Sequence, residues 1–96
     1  MNKIIKWNEE KNQLLQIQRD LSFEMVLEKI AADKIIARRS HPNGEKYPNQ
    51  QIFVLELKGY ICYVPFVENE VEIFLKSIIP SRKLDKEFRG ETDEKQ

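Results

Sequence analysis

Residues 51–79 read QIFVLELKGYICYVPFVENEVEIFLKSII, in which three β-branched and aromatic runs stand out: Gln51 to Leu57, Tyr60 to Val67 and Val71 to Ile79. Lys58-Gly59 divides the first two runs and Glu68-Asn69-Glu70 the last two. Runs of this length separated by turn residues predict an antiparallel β-meander. Alternation places Phe53, Leu55 and Leu57 on one face of the first run, and Val71, Ile73, Leu75 and Ile79 on one face of the last. Those faces are expected to meet helices. The opposite faces carry Glu56 and Lys58, then Glu72, Phe74 and Lys76, a mixed surface suited to solvent or to a binding groove. Pro65 has no N–H to give to a ladder, so a bulge or bend that curls the sheet is expected in the middle run.

The apolar partners of the meander lie upstream. Lys3-Ile4-Ile5-Lys6-Trp7 is a short β-prone start, after which Asn8 offers an N-cap with Glu9 and Glu10 in the first turn, where the helix dipole favours anions. A first helix is predicted over about 9–19, with Leu14, Ile17 and Leu21 as its apolar stripe. Ser22 caps a second, over about 23–33, with Phe23, Val26, Leu27 and Ile30 on one face. Together they form a helical hairpin whose stripes, Leu14 included, are expected to pack on the sheet. Ile35 and Ile36 begin a strand that gives way to a polar stretch, Arg38 to Gln50, with two prolines, Asn43-Gly44 and His41. Thirteen residues without a periodic signal read as a long loop, and loops of that length are commonly functional. Downstream, Pro80-Ser81 stops the last strand and opens a helix over about 82–89 that docks through Leu84 and Phe88. The fold class read from this order is α+β: two N-terminal helices on a curved antiparallel meander, with a short C-terminal helix.

Ninety-six residues suit one modest core. Residues 1–89 are therefore read as a single domain and residues 90–96 as a disordered polar tail. The hydrophobic fraction of 41% and charged fraction of 33% are those of a folded, heavily solvated chain. Cys62 has no partner cysteine and sits in an apolar run, which fits a buried small hydrophobe in a reducing compartment. No stretch approaches the length that spans a bilayer, and the charges at Lys3, Lys6, Glu9 and Glu10 do not resemble a secretion signal, so the expectation is a cytoplasmic protein without a membrane partner. The net charge is zero, but it is unevenly spread. Residues 34–89 hold ten Lys/Arg against seven Asp/Glu, while residues 90–96 hold one against three. A mildly basic body followed by an acidic tail (Gly90, Glu91, Thr92, Asp93, Glu94) is the result, and the tail could mask the basic excess.

The sequence contains no Gly-rich phosphate loop, no His/Cys/carboxylate cluster at metal spacing and no nucleophile elbow, so those chemistries are disfavoured and no cofactor is expected. What remains in the second half is the set of groups a metal-independent ribonuclease uses. Such an enzyme needs a group to take the 2′-hydroxyl proton, cations to hold charge on the phosphoryl oxygens, and an acid for the 5′-oxygen. Candidates for catalysis are His41, Tyr63, Lys76, Arg82 and Lys83, and candidates for RNA binding are Arg38, Arg39, Lys46 and Lys86. Each has a plainer reading, since a surface lysine or arginine is usually just solvated. Arg82 and Lys83 at a helix start oppose the dipole, and a misplaced cation usually has a compensating reason.

The opening Trp7-Asn8-Glu9-Glu10-Lys11-Asn12, the Leu21-Ser22-Phe23-Glu24 start of the second helix, the meander and the closing Ile78-Ile79-Pro80-Ser81-Arg82-Lys83 together resemble the BrnT-like toxins of bacterial type II toxin–antitoxin pairs. The similarity covers about residues 4–89 and lies in the order and spacing of short motifs. Trp7, Asn8 and Lys11 match a W-[DN]-x-x-K opening, and Ser81, Arg82 and Lys83 match the closing basic segment loosely. Gln51 stands where members commonly carry an arginine. The resemblance implies a fold similar to RelE ribonucleases. It further implies an RNA-cleaving toxin, neutralised by a cognate ribbon-helix-helix antitoxin through which it assembles into an oligomer. A second reading keeps the fold but not the activity: a toxin relic that holds an antitoxin-like partner without cutting RNA.

Overall fold

The computed structural model describes residues 3–90, and the tail residues Glu91, Thr92, Asp93 and Glu94 lie outside them. The chain runs β1 (Ile4–Trp7), α1 (Glu9–Arg19), α2 (Phe23–Ala31), β2 (Ala37–Ser40), β3 (Gln51–Leu57), β4 (Tyr60–Glu68), β5 (Glu72–Leu75), β6 (Ile79–Pro80) and α3 (Arg82–Asp85), which continues into a π-helical turn, Lys86–Gly90. The fold is α+β. The meander β3-β4-β5 is antiparallel, and the sheet order is β1-β5-β4-β3-β2 with β6 also paired to β4. One pairing lies outside the expected pattern: β1 runs parallel to β5, from Ile4 opposite Glu72 to Trp7 opposite Leu75.

The helix starts follow their caps. The Asn8 side chain accepts from the Lys11 amide at 2.9 Å, and Ser22 Oγ accepts from Met25 at 3.4 Å. The core face of α1 is nevertheless not the Leu14, Ile17, Leu21 stripe. Leu14 is 48% exposed and Ile17 80%, while Asn12 and Leu15 are buried. Asn12 sets this rotation: its Oδ1 accepts the Phe23 amide at 2.7 Å and its Nδ2 donates to Glu24 Oε1 at 2.9 Å, tying α1 to the start of α2. Leu21 is buried, but beyond the left-handed cap Asp20, where helical phase no longer applies. On α2 the buried residues are Phe23 and Val26, and Leu27 is exposed.

The main core joins these helix residues to Phe53, Leu55, Leu57, Ile73 and Leu75, together with Cys62, Val64 and Phe66 from β4. Phe53 and Phe66 stack at 4.0 Å, and Trp7 stacks on Phe23 at 5.6 Å. Burial pushes the Cys62 thiol up to about 11. Val71, expected in the core, is exposed, because β5 begins one residue later at Glu72. The opposite face of β3 and β4 is not solvent. Ile52, Val54 and Ile61 are buried there under Leu84, with Tyr63 and Phe88 packed against them, so α3 and the turn after it seal a second, smaller core.

The β3–β4 register is unbroken from Gln51 opposite Phe66 to Leu57 opposite Tyr60, so Pro65 produces no bulge. A residue's N–H and C=O point to the same side of a strand, and the Pro65 carbonyl accepts from Lys76 N at 2.7 Å. The missing N–H therefore faces the gap between β5 and β6, where no ladder runs. The hairpin turn has Lys58 at φ 52 and Gly59 at φ 85, the paired positive angles of a type I′ turn. Arg38 and Arg39, expected in a long loop, lie on β2 and pair with Phe53 and Ile52 of β3. The loop proper is the shorter stretch 41–50.

Candidate functional site

Most candidate residues concentrate on the sheet face opposite the helical hairpin, at the end where the 41–50 loop, the 76–78 connection and α3 meet, whereas Arg38 lies over Phe53 and Phe66 on the hairpin side. An open cleft of about 510 Å³ is lined there by His41, Lys46, Tyr47, Tyr63, Lys76 and Ser77, among others. A second, of about 460 Å³, lies on the other side of Tyr63 and is lined by Arg39, Ser81, Lys83, Leu84 and Glu87. Tyr63 is common to both.

The loop is ordered by its own turns. Asn43 accepts the Tyr47 amide at its backbone oxygen (3.0 Å) and the Lys46 amide at its side-chain oxygen (3.2 Å), and the Gln50 amide donates to Tyr47 O at 3.2 Å. His41 N donates to Gln50 O at 3.2 Å, closing the base of the loop. These bonds hold an aromatic cluster in place. The rings of His41 and Tyr47 pack at 4.5 Å, and His41 meets Tyr63 edge-on at 6.1 Å. His41 Nδ1 accepts the Asn43 amide at 3.0 Å, so the neutral ring carries its proton on Nε2. Partial burial lowers the His41 pKa from its ordinary 6.5, which favours that neutral form at pH 7.

Two exposed ammonium groups flank the cluster. Lys46 Nζ stands 5.4 Å from the Tyr47 ring centroid, and Lys76 Nζ 5.2 Å from that of Phe74. Among the described residues neither has a carboxylate partner. Arg38 and Arg39 are differently engaged. Arg38 donates to Gln51 Oε1 at 2.9 Å, forms an ion pair with Glu68 and lies 5.1 Å over the Phe66 ring. Arg39 makes a two-pronged contact with Glu87 and covers Phe88 at 4.9 Å, which fastens β2 to the C-terminal turn. Each pairing holds its carboxyl below the ordinary 4.5. For Glu87 the Arg39 hydrogen bond is the main cause, and for Glu68 the Lys3 bond comes first and Arg38 second.

Of the nine candidates, His41, Tyr63, Lys46 and Lys76 are thus brought to one cleft, and Arg39 and Lys83 to the adjoining one. Arg82 and Lys86 are exposed on the C-terminal helical segment, and neither lines these two clefts. Arg82 and Lys83 do open α3, behind the Ser81 cap that accepts from Leu84 N at 3.2 Å. Tyr47, Asn43 and Ser77 join the site without having been singled out. Tyr47 had one available signal, an aromatic residue inside a polar loop already marked by its length.

Among the described residues no cluster of three or more His, Cys, Asp or Glu is placed to hold a metal ion, and no helix is long and apolar enough to cross a membrane. No protein-family model, characterised protein or solved structure matches the chain.

Proposed function

We propose that this chain is a cytoplasmic endoribonuclease toxin of a type II toxin–antitoxin pair, BrnT-like and neutralised by a ribbon-helix-helix antitoxin. One observation carries the reading: a histidine and two tyrosines share one cleft with two lysines that, among the described residues, have no carboxylate partner.

In the reaction the 2′-oxygen attacks the adjacent phosphorus, the bond to the 5′-oxygen breaks, and the products are a 2′,3′-cyclic phosphate and a 5′-hydroxyl end. His41 takes the 2′-hydroxyl proton at Nδ1, releasing the Asn43 amide to do so. That exchange makes it a modest base. Lys46 and Lys76 stabilise the charge that grows on the non-bridging oxygens, the effect that usually carries most of such catalysis, and Lys76 returns a proton to the departing 5′-oxygen. Lys83, beyond Tyr63, supplies charge for a following phosphate.

The non-catalytic reading is favoured by a different observation: Arg38 and Arg39, the two arginines of β2, both end on carboxylates, and Gln51 is not cationic. The two readings part on one experiment. Purified protein is incubated with single-stranded RNA in EDTA and the new ends are mapped. Cyclic phosphate termini support the enzyme, and intact RNA at high protein concentration supports the relic.

A further inference from the structure

The loop that carries His41 also presents Tyr47 in a way that proton transfer does not require. Its ring is backed by His41 at 4.5 Å, and its backbone is held at both N and O within the turn. Tyr47 is half-buried, and Lys46, which directly precedes it, holds its exposed ammonium over the ring, 5.4 Å from the centroid, where an incoming base would take its place. An aromatic ring packed on His41, half exposed and covered only by an exposed cation that has no carboxylate partner among the described residues, is an arrangement on which an unpaired base stacks while the displaced ammonium meets its phosphate. A ring already immobilised loses little side-chain entropy on binding.

We infer that Tyr47 is a stacking platform for one unpaired base of single-stranded RNA, with Lys46 on that nucleotide's phosphate and Tyr63 marking the boundary to the next subsite. The inference rests on the RNA reading above and adds a substrate class to it. Bases inside a duplex have both faces covered by their neighbours, and a cleft of about 510 Å³ is of small-ligand size, so base-paired RNA is excluded from the platform.

The test is fluorescence anisotropy with a labelled 12-nucleotide 2′-O-methyl RNA, which lacks the attacking hydroxyl and stays intact, alone and annealed to its complement. The single strand should bind at least about tenfold tighter than the duplex. Tyr47→Leu should weaken single-strand binding by about tenfold, the scale of one lost base–aromatic stack, and Tyr47→Phe should change it by less than about twofold. Lys46→Ala, at an exposed position, should lower the slope of log affinity against log salt by about 0.7, the value of one single-strand phosphate contact, and serves if the Leu variant does not fold. Equal binding of the duplex, or single-strand binding untouched by both Tyr47→Leu and Lys46→Ala in folded protein, overturns the platform and leaves the RNA reading standing. Absence of binding to either RNA overturns both.

Discussion

The carboxamide oxygen of Asn12, the fourth residue of α1, accepts the backbone N–H of Phe23, the first residue of α2, at 2.7 Å, and the Asn12 side chain is fully buried. One of the helix's unpartnered first-turn donors is satisfied from a neighbouring helix, and the same side chain holds Glu24 through its Nδ2. Replacing Asn12 with Ala removes both bonds and leaves the Phe23 amide buried. The expected cost is about 2–3 kcal/mol, from an orphaned donor plus a lost hydrogen bond. Asn12→Leu should cost a similar amount, because apolar volume does not restore an acceptor. Urea unfolding of the variants checks this.

The Lys58-Gly59 turn offers a gain. Lys58 adopts φ 52, a left-handed conformation that costs a β-carbon-bearing residue about 1 kcal/mol, whereas Asn adopts it readily. Lys58→Asn should therefore raise stability by about 0.5–1 kcal/mol. The ion pair that Lys58 makes with Asp20 at 2.6 Å is exposed, and its loss removes only a few tenths. Thermal unfolding at moderate salt is the measurement.

Stability should fall in acid. Glu24, Glu68 and Glu87 all have folded-state pKa values below 4.5, for Glu24 chiefly through the Asn12 hydrogen bond. A lowered carboxyl pKa means that the unfolded chain binds more protons. The stabilisation is complete above about 4.5 and is lost as pH drops through the folded values. Denaturation midpoints recorded from pH 6 to pH 3 should decline mainly below 4.5. In Asn12→Ala the Glu24 share of that decline should shrink, since its largest cause is removed while the backbone and Ser22 hydrogen bonds remain.

His41 titrates in the opposite functional sense to a catalytic acid. With its pKa depressed below 6.5, the neutral ring persists to lower pH than in a free histidine. Cleavage that uses neutral His41 as base should fall on acidification with a midpoint below the ordinary histidine value of 6.5. A rate that rises as pH falls through that midpoint would assign His41 the role of an acid instead.

Much of this architecture is legible in the order of residues. The meander, its Lys58-Gly59 turn, the Asn8 and Ser22 caps and the docking of Leu84 and Phe88 all follow from local patterns whose signals agree with the tertiary structure. Local pattern fails where a long-range contact decides. Leu14 and Ile17 have the right spacing for a core stripe, but Asn12 turns α1 away from it, and a buried asparagine carries no periodic mark. Ala37–Ser40 is polar and short, so nothing local reveals that it pairs with β3. The candidate site was legible as a set of residue types, and the loop's length pointed to its location. That Arg38 and Arg39 are turned to Glu68 and Glu87, while Lys46 and Lys76 meet no carboxylate among the described residues, depends on packing of residues 30 and 48 positions apart.

Expression should discriminate the biological role. Produced alone from an inducible promoter, the chain should slow bacterial growth, and the adjacent gene, if it encodes a ribbon-helix-helix protein, should restore it. Normal growth at high soluble expression would favour the non-catalytic reading.

The measurement that bears most directly on the cleft is the rate at which purified protein cuts a 5′-labelled single-stranded RNA, compared between the wild-type chain and Lys76→Ala. Lys76 is exposed, and its substitution should change stability by no more than about 0.5 kcal/mol, which circular dichroism and urea unfolding of the same preparations verify. If its charge stabilises the transition state, the rate should drop by about 100-fold, the scale of removing one strong electrostatic donor, with cyclic phosphate ends in the residual product. An unchanged rate in folded Lys76→Ala protein, or no cleavage by the wild-type chain, would contradict the assignment of this cleft as a ribonuclease site.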